Sequence, residues 1–183
     1  RDVLGSRGLG DVYKRQKQFA MCPFDAVSTA ASVFCSQNLG AKQPDRIRKG
    51  LRQAVTIGVA YGALIGLVLI FGGRTLTRIF VNKSAVDVLD ASAKYLRYLG
   101  FFFWSLGILN VNRMVTQGLG YSGRAVFSGV TEMIARVIVS VGFVGTYGFT
   151  AICCADQAAW ISASCYILPT CLMCVRRATE KMK

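Results

Sequence analysis

Histidine is absent from this chain of 183 residues, and acidic residues are few: nine, against 22 lysines and arginines. The absence of histidine removes the commonest general base and the commonest metal ligand. The sequence also lacks paired acids, a cluster with metal-ligand spacing and any sign of an activated nucleophile. We therefore expect a protein that is not an enzyme and that holds no cofactor.

The seven cysteines lack the partners that metal or redox chemistry needs. Cys171 and Cys174 form a single C-x-x-C pair, without the second pair or the histidine of a zinc site. All seven lie in or beside apolar stretches, where buried thiols behave as small hydrophobic side chains. We interpret them as packing residues.

The overall charge is +13, and 53% of the residues are hydrophobic, with a mean hydropathy of +0.43. This is too apolar for an ordinary soluble domain. A large basic excess is one sign of nucleic-acid binding. Here the basic residues flank apolar runs and make no continuous face, which favours the edges of a membrane. We therefore expect the lipid bilayer as a partner, and no nucleic acid.

Long apolar stretches separated by short polar ones predict a polytopic membrane helix bundle, an all-α fold with about five transmembrane helices. Residues 54–71 carry no charge over 18 positions, close to the roughly 20 residues that span a bilayer. The connection at residues 72–94 is amphipathic and predicts a short interfacial helix on the outer side. The five predicted helices are residues 18–38, 54–71, 95–119, 125–155 and 157–175.

Glycine and proline predict how these helices pack and end. Gly58, Gly62 and Gly66 recur every four residues on one face of the second helix, which favours close approach of another helix. The glycine-rich residues 118–123 predict a turn, since they lack the lysine of a phosphate loop. Pro169 predicts a kink in the fifth helix.

Basic residues at two places predict the orientation of the bundle. Residues 36–52 carry five basic residues against Asp45, and the tail after residue 175 carries four against Glu180. Lysine and arginine are retained on the cytoplasmic side during insertion. We expect a multi-pass protein of the cell membrane whose first interhelical loop and C-terminus are cytoplasmic.

Polar residues inside predicted spans are candidate functional positions, because such groups normally face protein or a water-filled cavity. Asp25 lies about 20 Å from the inner end of its helix and is a candidate for ion coupling. The alternative places it at the outer interface, or as a cap where Pro23 interrupts the helix. Trp104, Asn110 and Asn112 are further candidates for the lining of a cavity.

The charged residues of the third and fourth predicted helices are expected either to pair with each other or to reach water. Glu132 and Arg136 are four residues apart and can form an ion pair on one helix face. We place this pair near the inner boundary and interpret it chiefly as a packing contact, with a gating role as the alternative. Arg113 lies about one turn from the inner edge and is expected to snorkel towards water.

Residues 6–16, SRGLGDVYKRQ, resemble the translation of an adapter used in sequencing-library preparation. Segments of this kind lie outside the fold. We expect residues 1–16 to be non-native, residues 17–183 to be a partial lobe of a membrane protein, and the native protein to begin further upstream. A glycine-rich phosphate loop or a basic nucleic-acid arm is the alternative for this segment.

The sequence SVFCSQNLGAKQPDRIRKG, residues 32–50, resembles the multidrug and toxic compound extrusion (MATE) family. That family has a QNxGA unit, a short spacer and an arginine at the inner end of its second and eighth helices. A helix end suits a structural hinge better than a substrate site. The matching residues here are Gln37, Asn38, Gly40, Ala41 and Arg46.

The resemblance implies a fold, a function and partners. MATE proteins have twelve helices in two six-helix lobes, so this chain looks like helices 8–12, most of the C-terminal lobe, and its missing N-terminal lobe would be a partner. The family exports small cationic or aromatic compounds in exchange for sodium or protons. A fragment of one lobe is expected to be inactive alone.

The resemblance also directs attention to the third helix. Phe102, Phe103 and Trp104 suit cation–π contact with a cationic substrate. That helix has no carboxylate where some members of the family bind the coupling cation, which leaves coupling to Asp25 or to the missing lobe. A lipid-linked saccharide flippase of the same wider superfamily and a non-transporting membrane scaffold are the alternative functions.

Overall fold

The computed structural model describes the backbone of residues 2–80, 86–147 and 149–180, and the side chains of residues 18–72, 96–142 and 154–180. This part of the chain contains five helices and no strand. The predicted all-α fold is therefore confirmed. The helices are α1 (Asp2–Gly40), α2 (Pro44–Phe80), α3 (Val86–Gly118), α4 (Ser122–Tyr147) and α5 (Phe149–Glu180).

Two predicted connections differ from the structure. Most of segment 72–94 continues α2 and α3 as regular helix, so the separate interfacial helix is wrong there; residues 81–85 lie outside the described part. Helix α4 ends at Tyr147 and α5 begins at Phe149, so Asp156 is inside α5 and not between two helices as predicted. The sequence is apolar on both sides of this boundary, so hydropathy carries no signal for it.

Two of the three prolines lie inside helices, and the third, Pro44, is the first residue of α2. Pro23 is within α1, so it does not interrupt that helix, and the proposed helix cap at Asp25 is excluded. Pro169 is within α5. A proline costs one backbone hydrogen bond and adds a steric clash, but neighbouring helices and side chains can compensate inside a membrane bundle.

Among the residues whose side chains are described, four helices have segments long and apolar enough to cross a membrane, namely Gln18–Gly40, Pro44–Gly72, Ser122–Gly142 and Cys154–Glu180. The predicted third span, in α3, falls outside this set. Asn110, Asn112 and Arg113 lower its hydropathy. Since α3 packs against all four other helices, these polar groups have protein neighbours, and α3 is the central helix of the bundle.

Glycines bring α2 and α3 into backbone contact, as the four-residue spacing predicted. A Cβ added at Gly62 would lie 2.7 Å from the Cα of Trp104. A Cβ at Gly66 would collide with the carbonyl of Gly100, and one at Gly58 would lie 3.3 Å from the carbonyl oxygen of Gly107. We call this contact the glycine seam.

Large side chains fill the space around the seam. Phe103 is fully buried and packs with Phe24 of α1 and Trp160 of α5, at ring-centroid distances of 5.5 and 6.1 Å. A second apolar cluster lies towards the basic ends of the helices and includes Ile47, Val115 and Cys171. The two clusters hold α3 in the middle of the bundle.

Candidate transport site

The residues of the MATE-like motif lie at the end of α1, in the α1–α2 turn and at the start of α2. Helix α1 ends at Gly40, and Lys42 takes the left-handed conformation with φ of 53°. The Gln43 N–H donates to the carbonyl of Asn38, and the Lys42 N–H to that of Leu39. This is the Schellman pattern, which satisfies carbonyls left free at a helix end.

The α3–α4 turn repeats the same geometry with glycine in the left-handed position. Gly120 has φ of 88°, and the Tyr121 N–H donates to the carbonyl of Thr116. Residues 119–121 therefore form a turn, inside the segment 118–123 for which the composition predicted one. At both turns backbone N–H groups satisfy the helix-end carbonyls.

The side chains of the motif do not gather into a binding site in the described structure. The Asn38 side chain donates to the Phe34 carbonyl at 2.7 Å, within its own helix. Gln37, Gly40, Ala41 and Arg46 are exposed. These exposed or locally hydrogen-bonded side chains agree with the interpretation of the motif as a structural helix end rather than a substrate site.

An ion-pair network joins the three helices α3, α4 and α5. Arg113 Nη2 donates to Glu132 Oε2 at 2.7 Å, and Arg113 Nε donates to Ser128 Oγ at 2.8 Å. Arg136 Nη2 lies 3.1 Å from the other carboxylate oxygen of Glu132, and its Nε lies 3.1 Å from Asp156 Oδ1. We call these residues the charge network.

The charge network lies in the middle turns of α4, away from both ends of that helix. Glu132 is about 15 Å from the start of α4 at 1.5 Å per residue. The predicted position of the Glu132–Arg136 pair near the inner boundary stays a prediction. The Arg113 side chain contacts Glu132.

The four charges balance, two guanidinium groups against two carboxylates. The side chains of Glu132, Asp156 and Arg113 are only 19 to 23% exposed, and that of Arg136 is 45% exposed. Charges removed from water need partners and hydrogen bonds to offset the loss of hydration. The network supplies both, so it fixes the relative positions of three helices while keeping polar groups inside the bundle.

A second polar feature lies where α3 meets α5. Ser105 and Ser164 place their hydroxyl oxygens 3.2 Å apart, and Ser164 Oγ also lies 3.3 Å from the Ser105 carbonyl. Asn112 is buried and donates to the Ile108 carbonyl at 2.7 Å. These contacts satisfy the polar groups locally, so Asn112 is engaged within its own helix.

Two buried amides lack such partners in the described part of the chain. Gln157 is 3% exposed, and neither its oxygen nor its nitrogen has a hydrogen-bond partner there. The side-chain nitrogen of Asn110 is also buried without a hydrogen-bond partner there. Buried polar groups are nearly always hydrogen-bonded. An unpartnered glutamine next in sequence to Asp156 is therefore a candidate binding position.

The other predicted residues are separate from the charge network. Asp25 is exposed on α1, and Trp104 is 45% exposed on α3. Phe103 is wholly enclosed by the core, so it is unsuitable for contact with a substrate. Of the candidate aromatics, Trp104 has the most accessible ring, and Phe102 is partly buried beside it.

Three residues of this region, Arg113, Asp156 and Gln157, are not predicted as interacting residues by the sequence. The sequence predicts Arg113 near the membrane interface and Asp156 between two helices, where neither is expected to contact Glu132 or Arg136. The available signal was the rule that charges inside a membrane pair with one another. That rule predicts that Arg113 has an acidic partner, but it does not identify the helix that supplies the partner.

Comparison with known proteins agrees with this architecture. The model of the MatE family matches residues 16–142, well over half of the chain. No curated protein and no solved structure matches this chain. The matched region includes α2, α3 and most of the charge network. The chain therefore belongs to the MatE family, whose members are membrane transporters rather than enzymes.

Proposed function

We propose that this chain is part of a secondary multidrug exporter that moves cationic or aromatic compounds out of the cell in exchange for sodium or protons. A second lobe of the same protein would complete the substrate cavity. Membership of the MatE family supports export. The observation that carries the substrate site is the buried, unpartnered Gln157 beside the charge network.

Gln157 suits a transport role for a physical reason. An amide without partners at 3% exposure costs stability unless a ligand or water completes its hydrogen bonds during part of the cycle. Asp156, its neighbour, is bound to Arg136. Gln157 is therefore one residue along α5 from the ion pair that joins α4 to α5.

The test is transport of a fluorescent cation by the full-length protein in liposomes, driven by a sodium or a proton gradient. Gln157→Met keeps a similar volume and removes both polar atoms. We expect thermal stability to hold or rise, because no hydrogen bond is lost, and the transport rate to fall about tenfold, the effect of about 1.4 kcal/mol. Unchanged transport would exclude Gln157 from the site.

Asp25→Asn tests the coupling role in the same assay. We expect gradient-driven export to fall while binding of the fluorescent cation persists, since the carboxylate would serve the coupling ion rather than the substrate. Unchanged export in inverted vesicles would assign coupling elsewhere.

The alternatives predict other results. A lipid-linked saccharide flippase predicts accumulation of its lipid-linked precursor in cells lacking the gene. A non-transporting scaffold predicts no uptake under either gradient.

A further inference from the structure

Three arginines from two helices surround a groove where the basic ends of α2 and α5 come together. The groove has a volume of about 360 Å³. Its polar wall comes from the first turns of α2 and the last turns of α5, and its floor is apolar. The lining residues are Arg48, Leu51, Arg52, Leu172, Val175 and Arg176.

The three arginines of this groove form no ion pair with a described carboxylate. Arg48, Arg52 and Arg176 are exposed, and no carboxylate of the described residues lies within 4 Å of their guanidinium nitrogens. The arginines of the charge network, by contrast, are paired. A planar guanidinium binds phosphate oxygens through two parallel hydrogen bonds, so three of them favour a phosphate group.

The floor of the groove indicates that the phosphate belongs to a lipid. Leu51 and Val175 are buried, while Leu172 is 48% exposed. These residues belong to the candidate membrane spans Pro44–Gly72 and Cys154–Glu180. An acyl chain would cover Leu172 as the headgroup meets the arginines, whereas a free anion would leave that apolar surface uncovered.

A second depression of about 540 Å³ adjoins the groove and shares Arg48 and Arg176 with it. Asp45 and Glu180 also line this depression. Carboxylates accept hydrogen bonds from hydroxyl groups. This combination suits a phosphodiester whose headgroup carries hydroxyls.

We infer that the groove between α2 and α5 is a binding site for an anionic phospholipid with a hydroxyl-bearing headgroup, of the phosphatidylglycerol type. The arginines bind the phosphodiester, and the apolar floor contacts the part of the acyl chain nearest the headgroup. Asp45 and Glu180 accept hydrogen bonds from the headgroup hydroxyls. Basic recesses between membrane helices are a general mode of lipid-headgroup recognition. The lipid then bridges two helices that make little direct contact with each other.

Native mass spectrometry of the purified full-length protein tests this inference, with phosphatidylglycerol or phosphatidylcholine added to detergent micelles. The test variant is Arg48→Gln with Arg176→Gln. The matched control is Lys49→Gln with Arg177→Gln, which removes the same charge from the next residue of each helix. Lys49 and Arg177 are exposed and do not line the groove.

We expect preferential binding of phosphatidylglycerol by the unmodified protein. Each arginine near an anionic headgroup contributes roughly fivefold in affinity, so the test variant should bind about 25-fold more weakly. The control should retain the preference for phosphatidylglycerol. Equal binding of the two lipids, or equal loss in test and control variants, would overturn the inference.

A measurement without substitutions covers the case in which the test variant does not fold. Phosphatidylglycerol carrying a photoreactive acyl chain is added to the unmodified protein, and cross-linked peptides are mapped. Cross-links at residues 48–52 and 172–176 support the site, and cross-links spread over the apolar helix faces contradict it. Competition by inorganic phosphate at millimolar concentration would indicate a soluble anion and would also overturn the lipid assignment.

Discussion

At the scale of single residues, Arg113 shows how the bundle accommodates charge. Its side chain donates two hydrogen bonds to α4, one to Glu132 and one to Ser128. Ser128 in turn donates to the Ala125 carbonyl at 2.8 Å. An arginine inside a membrane is costly without such partners. The ion pair is therefore a condition for α3 to lie at the centre of the bundle.

A double-mutant cycle on Arg113→Gln and Glu132→Gln measures this pair. Each single substitution leaves the other charge without its closest partner, so we expect each to lower the free energy of unfolding by about 2 kcal/mol. The double variant should lose less than the sum, with a coupling energy of about 1 kcal/mol. Thermal unfolding of the purified protein in lipid nanodiscs provides the measurement.

Arg97→Gln is the matched control for this cycle. Arg97 lies on the same helix, is exposed, and has no ion pair to a described carboxylate. Its loss should change the free energy of unfolding by less than about 0.5 kcal/mol. Additive effects of the Arg113 and Glu132 substitutions would contradict a direct interaction.

At the scale of helices, the glycine seam determines the distance between α2 and α3. No side chain separates the two backbones at Gly62, where the nearest atom to an added Cβ is the Cα of Trp104. Close approach of this kind increases dispersion contacts along the whole helix pair. The two helices can move apart only if these dispersion contacts are lost.

Alanine substitutions in the seam should therefore destabilise the protein. We expect Gly62→Ala and Gly66→Ala each to lower the free energy of unfolding by about 1–3 kcal/mol, because the added methyl group meets backbone atoms that cannot move aside. Thermal unfolding in nanodiscs again measures the effect.

Gly129→Ala and Gly142→Ala, both on α4, are the controls. A Cβ at either position meets no atom of the described structure within 4 Å. Since alanine favours helix over glycine by about 1 kcal/mol, these variants should be neutral or slightly more stable. Equal destabilisation of seam and control variants would argue against the close packing.

The helix-scale features differ in how far the sequence predicts them. Gly58, Gly62 and Gly66 share a face by periodicity alone, so the seam was predictable. The turn at Gly120 was predictable because its composition favours a left-handed residue. The end of α4 was not, since no charge marks it. The ion pair between Arg113 and Glu132 depends on which helices are neighbours, and a single sequence does not carry that information.

At the scale of the whole molecule, the basic ends of the helices lie together. Helix α2 begins with Arg46, Arg48 and Lys49, and α5 ends with Arg176 and Arg177. Their common placement agrees with the predicted cytoplasmic orientation, which stays a prediction. The roles of Asp25 and Trp104 also stay predictions, because they depend on the surfaces that a second lobe would face.

Orientation can be measured by labelling a cysteine in the first turn. Gln43→Cys is made together with Cys22→Ser and Cys165→Ser, which remove the two thiols that are exposed among the described cysteines. We expect a membrane-impermeant maleimide to label the new thiol in inverted vesicles and not in right-side-out vesicles, because the basic residues of the loop predict that it faces the cytoplasm. A Glu180→Cys variant in the same background should give the same pattern. Labelling from the outside would reverse the topology.

The order in which the helices leave the ribosome makes α3 depend on its successor. Arg113 is synthesised 19 residues before Glu132, so the arginine exists for a time without its carboxylate. A helix with uncompensated charge and modest hydropathy is released into lipid with difficulty. The pairing therefore favours entry of α3 and α4 into the bilayer as one helical hairpin, with the glycines of α2 already in place to receive it.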